Sequence, residues 1–108
     1  MSRSIRILYR GVQGRVRRNF NWDAIHKKSA VIITAAEWSP AVGSLFGPSD
    51  GRPNLGEANV YVTNVGPHDP EGGTGGVEFH LHVDWGSPLD VIVTITALDD
   101  VEQLVVTG

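Results

Sequence analysis

The chain has 108 residues, 41% of them hydrophobic and 19% charged, a formal net charge of −3 and no cysteine. That suffices for one globular domain with its own core, and it excludes a disulfide scaffold and any thiolate metal site. No apolar run approaches the roughly 20 residues of a bilayer-spanning helix, and Arg6 and Arg10 interrupt any secretion-signal core, so the expectation is a soluble chain with no membrane partner, left in the cytoplasm where it is made.

Ser4–Arg10 reads as a strand, and Gly11 and Gly14 mark a bend or bulge. Alternation resumes with Val12, Gly14 and Val16 against Gln13, Arg15 and Arg17. Residues 1–28 hold eight basic side chains against one acid, a local charge of +7, whereas residues 29–108 hold one against eleven, −10. A basic segment of this kind has two uses. Arg6, Arg10, Arg15, Arg17 and Arg18 can form a polyanion-binding row suited to nucleic acid. Alternatively, and favoured because apolar residues are interleaved, they form an edge strand lying beside acids of the same molecule or of a neighbouring subunit.

Asn19–Lys28 predicts a short helical turn capped by Asn21, with Phe20 packed on Ile25 and both Phe20 and Trp22 plugging the core. Ala30–Ala36 is apolar on both faces and predicts a buried strand, ended at Glu37–Pro40. Residues 39–58 read as one long Gly/Pro loop with Leu45 and Phe46 tucked back onto the core. Asn59–Val65 alternates again, and Gly66–Gly76 is a flexible connection. Val77–Trp85 and Val91–Leu98 predict a hairpin across a Gly86–Asp90 turn. Asp99–Asp100 then makes a tight turn into a last short strand, Val101–Thr107. Together these predict an all-β fold: a single antiparallel β-sandwich or small barrel over residues 1–108, with long Gly/Pro-rich loops and little helix.

Val77, Phe79, Leu81, Val83 and Trp85 fall on one face of their strand, which predicts that they are buried. Glu78, His80, His82 and Asp84 occupy the other. Residues i and i+2 of a strand stand about 6.6 Å apart on the same side, so two imidazoles can reach one zinc or iron ion while carboxylates complete or orient the shell. His68 and Asp69 can add to it from the preceding loop. The simpler expectation is a solvated polar face. Cupins share His-x-His, but the position of their downstream glutamate is taken by Gly86 and Ser87. Gly72–Gly76 lacks the lysine and following hydroxyl of a phosphate loop. No serine sits in a Gly-x-Ser-x-Gly setting, so catalysis is not expected.

The succession of Ala30–Ala36, Asn59–Val65, Gly76–Trp85 and Val91–Leu98 resembles H-type lectin-like domains over residues 29–98. The shared features are an apolar strand, a Val-Thr-Asn-Val run, and a glycine-introduced alternating strand closing on tryptophan. The resemblance implies a six-stranded sandwich that trimerises and binds carbohydrate. Trp85 matches the family's aromatic position, while Gly86, Tyr61 and Ala97 stand where the family carries histidine, arginine and tryptophan. A ligand face then draws on Trp85 and Tyr61, with His68 and Asp69 beside them. The favoured expectation is a non-catalytic binding or assembly module, homo-oligomeric and carbohydrate-directed. The rivals are a small metal-dependent protein or enzyme using Glu78, His80, His82 and Asp84, and a polyanion or nucleic-acid binder using the arginine row.

Overall fold

The computed structural model describes residues 2–39, 51–69 and 73–108. Within them lie seven strands: β1 (Arg3–Val12), β2 (Gly14–Asn21), β3 (Ser29–Ser39), β4 (Arg52–Asn54), β5 (Asn59–His68), β6 (Gly76–Asp84) and β7 (Leu89–Asp100). All pairings are antiparallel. They build a four-stranded sheet A in the order β1-β7-β3-β4 and a three-stranded sheet B in the order β2-β6-β5. The all-β antiparallel class predicted from alternation is the one observed, and no helix occurs among the described residues.

The predicted hairpin does not form. β6 pairs with β2 and β5, whereas β7 pairs with β1 and β3, so the two strands lie at the centres of opposite sheets. Side by side in one sheet, their apolar side chains would share a single face and find nothing to pack against. In opposite sheets they meet across the core. Val77, Phe79, Leu81 and Val83 of β6 and Val91, Val93, Ile95 and Ala97 of β7 are all buried in one cluster with Val12 and Ile25. Ile5, Ile7 and Tyr9 of β1, Val16 and Phe20 of β2, and Trp22 pack at its margin, so Phe20 and Trp22, predicted to plug the core, are only partly buried against it.

β1 and β2 are one bent ribbon that serves both sheets. Gly11 and Gly14 both take positive φ, 65° and 73°, a region glycine enters without steric cost. The register of β1 against β7 slips between Tyr9 and Val12. The predicted bend is therefore a corner, with buried Val12 at its turn. A second irregularity lies in β5, whose register shifts between Thr63 and Gly66 around Asn64 at φ 57°.

Several local expectations are corrected. Trp85 is 44% exposed. Its amide bonds back to the Val83 carbonyl at 3.1 Å, a reversal over three residues that ends the alternation one position early. No helical turn follows β2, because Asn21 still belongs to that strand. Two successive tight turns take its place: Ile25 N–H bonds the Trp22 carbonyl (3.0 Å) and Ser29 N–H bonds the His26 carbonyl (2.9 Å). β3 is apolar on both faces, yet Ile32 is 55% exposed, since its outward side meets solvent. The loop expected over 39–58 is interrupted by β4; Leu45, Phe46 and residues 40–50 lie outside the described residues, as do residues 70–72 of the glycine-rich connection. Asp99 and Asp100 continue β7 instead of turning, and Val101–Thr107 forms no strand, because after the Val101 N–H bond to the Lys28 carbonyl no strand among the described residues pairs with it.

Candidate functional site

The alternation that buries Phe79 and Leu81 sends Glu78, His80 and His82, half-buried, and exposed Asp84 to the outer face of sheet B. Register then adds what the sequence of β6 alone does not show. Arg15 lies opposite His82, Arg17 opposite His80 and Asn19 opposite Glu78 on the β2 side. On the β5 side Tyr61 lies opposite His82 and Thr63 opposite His80. The face is thus a three-strand field of cations, carboxylates, imidazoles and one phenol.

Its centre is an aromatic pair. The Tyr61 and His82 rings stack with centroids 4.4 Å apart and planes within 6°. His82 Nε2 is fixed by a 2.8 Å hydrogen bond with Thr63 Oγ1, and the His80 ring stands edge-on to it at 6.3 Å. Partial desolvation, together with the charge of Asp84 and the bond the phenol donates to it, raises the Tyr61 hydroxyl above its ordinary 10.0. Trp85 lies just past the end of β6, its carbonyl accepting a 3.2 Å bond from Gln13 Nε2.

The other end of the face is an open depression of ≈510 Å3 lined by Asn19, Lys27, Pro67, His68, Asp69 and Glu78. Arg17 donates to Glu78 Oε2 from Nε at 3.0 Å and again from a terminal nitrogen. That hydrogen bond, then the arginine charge, and more weakly the charge of His68, hold the Glu78 carboxyl below its ordinary 4.5. His68 Nε2 lies 2.6 Å from Asn19 Oδ1. An amide oxygen only accepts, so Nε2 carries the proton. Nδ1 is left buried without a partner among the described residues.

These bonds also bear on the predicted metal ligands. Glu78 is engaged by Arg17, His82 by Thr63 and Tyr61, and Asp84 by Tyr61. No three histidine, aspartate or glutamate side chains converge on a common point among the described residues.

The arginine row resolves into separate contacts. Arg10 approaches Asp90 at 3.6 Å and lies over the Trp38 ring at 5.5 Å. Arg6 Nε donates to Thr94 Oγ1 at 3.1 Å. Arg17 is held by Glu78, and Arg3 lies 3.9 Å from Asp23 and over the Trp22 ring. Arg18 departs from the row altogether: it alternates with Val16 and Phe20, pairs with inward-facing Phe79, and points into the sandwich. Of the five arginines predicted to bind a polyanion, Arg15 alone has no partner among the described residues. Of these five, Arg10 and Arg17 meet acids of their own chain. Sequence reasoning missed Thr63 and Asn19, which only strand register places on the face, and Lys27, which the turn between β2 and β3 brings to the depression.

No family model, curated protein or solved structure matches this chain. Among the described residues no helix is long and apolar enough to cross a membrane.

Proposed function

We propose that this chain is a non-catalytic β-sandwich binding and assembly module that takes a polar, carbohydrate-type ligand on the outer face of sheet B. The observation that carries this reading is the stacked Tyr61–His82 pair, set among Arg15, His80 and Asp84. A saccharide offers an apolar C–H face to an aromatic ring and a rim of hydroxyls that both donate and accept. Arginine and imidazole N–H groups suit the accepting lone pairs, and the carboxylate of Asp84 suits a donated hydroxyl. The depression lined by Asn19, Lys27, His68 and Asp69 extends the face for a longer ligand. The resemblance to H-type lectin-like domains agrees with this ligand class. Homo-oligomerisation belongs to the same reading, because a shallow face binds weakly alone and gains from repetition in one assembly.

The test is titration of ¹⁵N-labelled protein with a panel of mono- and disaccharides. Saturable shifts confined to Tyr61, Thr63, His80 and His82, and lost in Tyr61→Ala, support the reading. Absence of any saturable shift across the panel and a glycan array overturns it.

A further inference from the structure

Residues 101–108 leave β7 as an exposed segment without regular structure. Within it, Leu104 is 87% and Val106 86% exposed, and Val101 and Val105 are more than half exposed. Four large aliphatic side chains in six residues form a β-prone, apolar run of the kind that soluble domains cover. Its root is fixed: Asp100 pairs with Ser29, His26 Nε2 lies 2.8 Å from Asp100, and Val101 N–H bonds the Lys28 carbonyl at 2.9 Å. Beyond that point the arm has no strand beside it among the described residues.

We infer that this arm pairs as an added strand with the outer edge of β1 on a second copy of the chain. The choice of edge follows from the other three. β4 is three residues long and contains Pro53. β5 is broken by the irregularity at Thr63–Gly66 and followed by Pro67. β2 carries Arg18 pointing inward. Short length, proline, bulges and inward charge are the devices that keep edge strands from pairing. β1 is ten residues long, contains no proline and runs in regular register from Arg3 to Tyr9; its one charge on the inward side, Arg3, stands at its first residue.

Charge agrees with this edge. β1 presents Arg6 on its outer side, and the arm carries Glu102 just beyond Asp100. A shallow groove of ≈430 Å3 lies on the sheet surface where Ser4, Ile5 and Arg6 of β1 meet Thr94 of β7. Topology requires that the edge belong to another molecule. β7 is interior to sheet A, with β1 beside it. To reach the outer edge of its own β1 the arm would have to pass over that strand and arrive parallel to it, and parallel pairing needs a connection of about a dozen residues or more. A second copy can present β1 in the antiparallel sense with no such crossing.

This inference deepens the assembly half of the proposed function and is independent of the saccharide. The chain lacks cysteine, so two introduced thiols are unique. Sedimentation of the full chain at micromolar concentration is expected to give a whole multiple of 11.7 kDa. Deletion of residues 102–108, or the double variant Leu104→Asp with Val106→Asp, is expected to give monomer with an unchanged circular dichroism spectrum. Ser4→Cys combined with Val105→Cys is expected to link chains covalently through a short bismaleimide, and neither single variant to do so. A full chain that sediments as monomer overturns both this inference and the assembly half of the proposed function. An oligomer that survives deletion of the arm overturns the inference alone. Failure of the double cysteine variant to link separate chains overturns the assignment to β1.

Discussion

The guanidinium of Arg18, reaching inward from β2, lies over the ring of Tyr9 on β1, 4.7 Å from its centroid. It spans the flank of the sandwich where the edges of the two sheets face each other. The contact is a compromise: Arg18 Nε is buried without a hydrogen-bond partner among the described residues, so the side chain is not there for stability alone. Burial raises the Tyr9 hydroxyl above its ordinary 10.0, and the Arg18 charge pulls it partly back.

Arg18→Leu therefore has a spectroscopic and a colloidal outcome. Tyr9 loses the opposing charge and titrates at higher pH still, which absorbance at 295 nm in a Tyr61→Phe background reads. Thermal stability changes little, since exchanging a part-buried charge for a packed apolar side chain is often neutral or favourable. Light scattering should rise with concentration, because β2 loses the inward charge that guards its edge.

The Tyr9 shift also fixes a sign. The neutral phenol is favoured in the folded chain, so its contribution to stability is complete below pH 10.0 and is lost as pH rises through the higher folded value. Chemical denaturation across the alkaline range in a Tyr61→Phe background, which removes the other raised phenol, should show that fall with Tyr9 present and not with Tyr9→Phe added.

Glu78 behaves in the opposite sense. Its carboxyl is held below 4.5 by Arg17, so the contribution is present above pH 4.5 and disappears as pH falls through the lowered folded value. In Arg17→Ala the Glu78 carboxyl carbon, followed by NMR, should titrate closer to 4.5, and the acid-side loss should shrink.

Leu81 is fully buried between the sheets. Leu81→Ala should cost about 2–5 kcal/mol, through lost transfer energy and the cavity left behind. Urea denaturation measures it.

A paired glycine experiment tests the turn after β2. A Cβ at Gly75 would lie 1.7 Å from the Ile25 carbonyl oxygen, whereas one at Gly86 meets nothing within 4 Å. Gly75→Ala should lower the melting temperature clearly, and Gly86→Ala should leave it almost unchanged.

Strand positions and the buried face of β6 were legible because a period of two survives in a single sequence. Glu78, His80, His82 and Asp84 were found by the same means. Which strands pair was not legible, since it depends on contacts between residues far apart in the chain. Proximity in sequence suggested that β6 and β7 form a hairpin, and the need to bury both apolar faces placed them in opposite sheets. The inward aim of Arg18 was available from its alternation with Val16 and Phe20, but its charge suggested solvent. The Tyr61–His82 stack and the Arg17–Glu78 bond required a register between strands, and local pattern does not encode one. Val101–Thr107 has strand composition without a strand partner, so propensity alone misjudged it.

The bent ribbon of β1 and β2 also sets the order in which the molecule can form. Arg3 must meet Ala97, and Gly14 must meet Val83, so the part of the chain made earliest waits for strands made last. At about 5–20 residues per second, that is roughly 5–19 s of synthesis before β1 has its neighbour. Contacts of such long sequence separation also make for slow closure afterwards. Throughout that interval Ile5, Ile7, Leu8 and Tyr9 have no partner strand. The arginines at positions 3, 6 and 10 that punctuate them then act on the nascent chain, as charges that discourage β-aggregation while the ribbon waits.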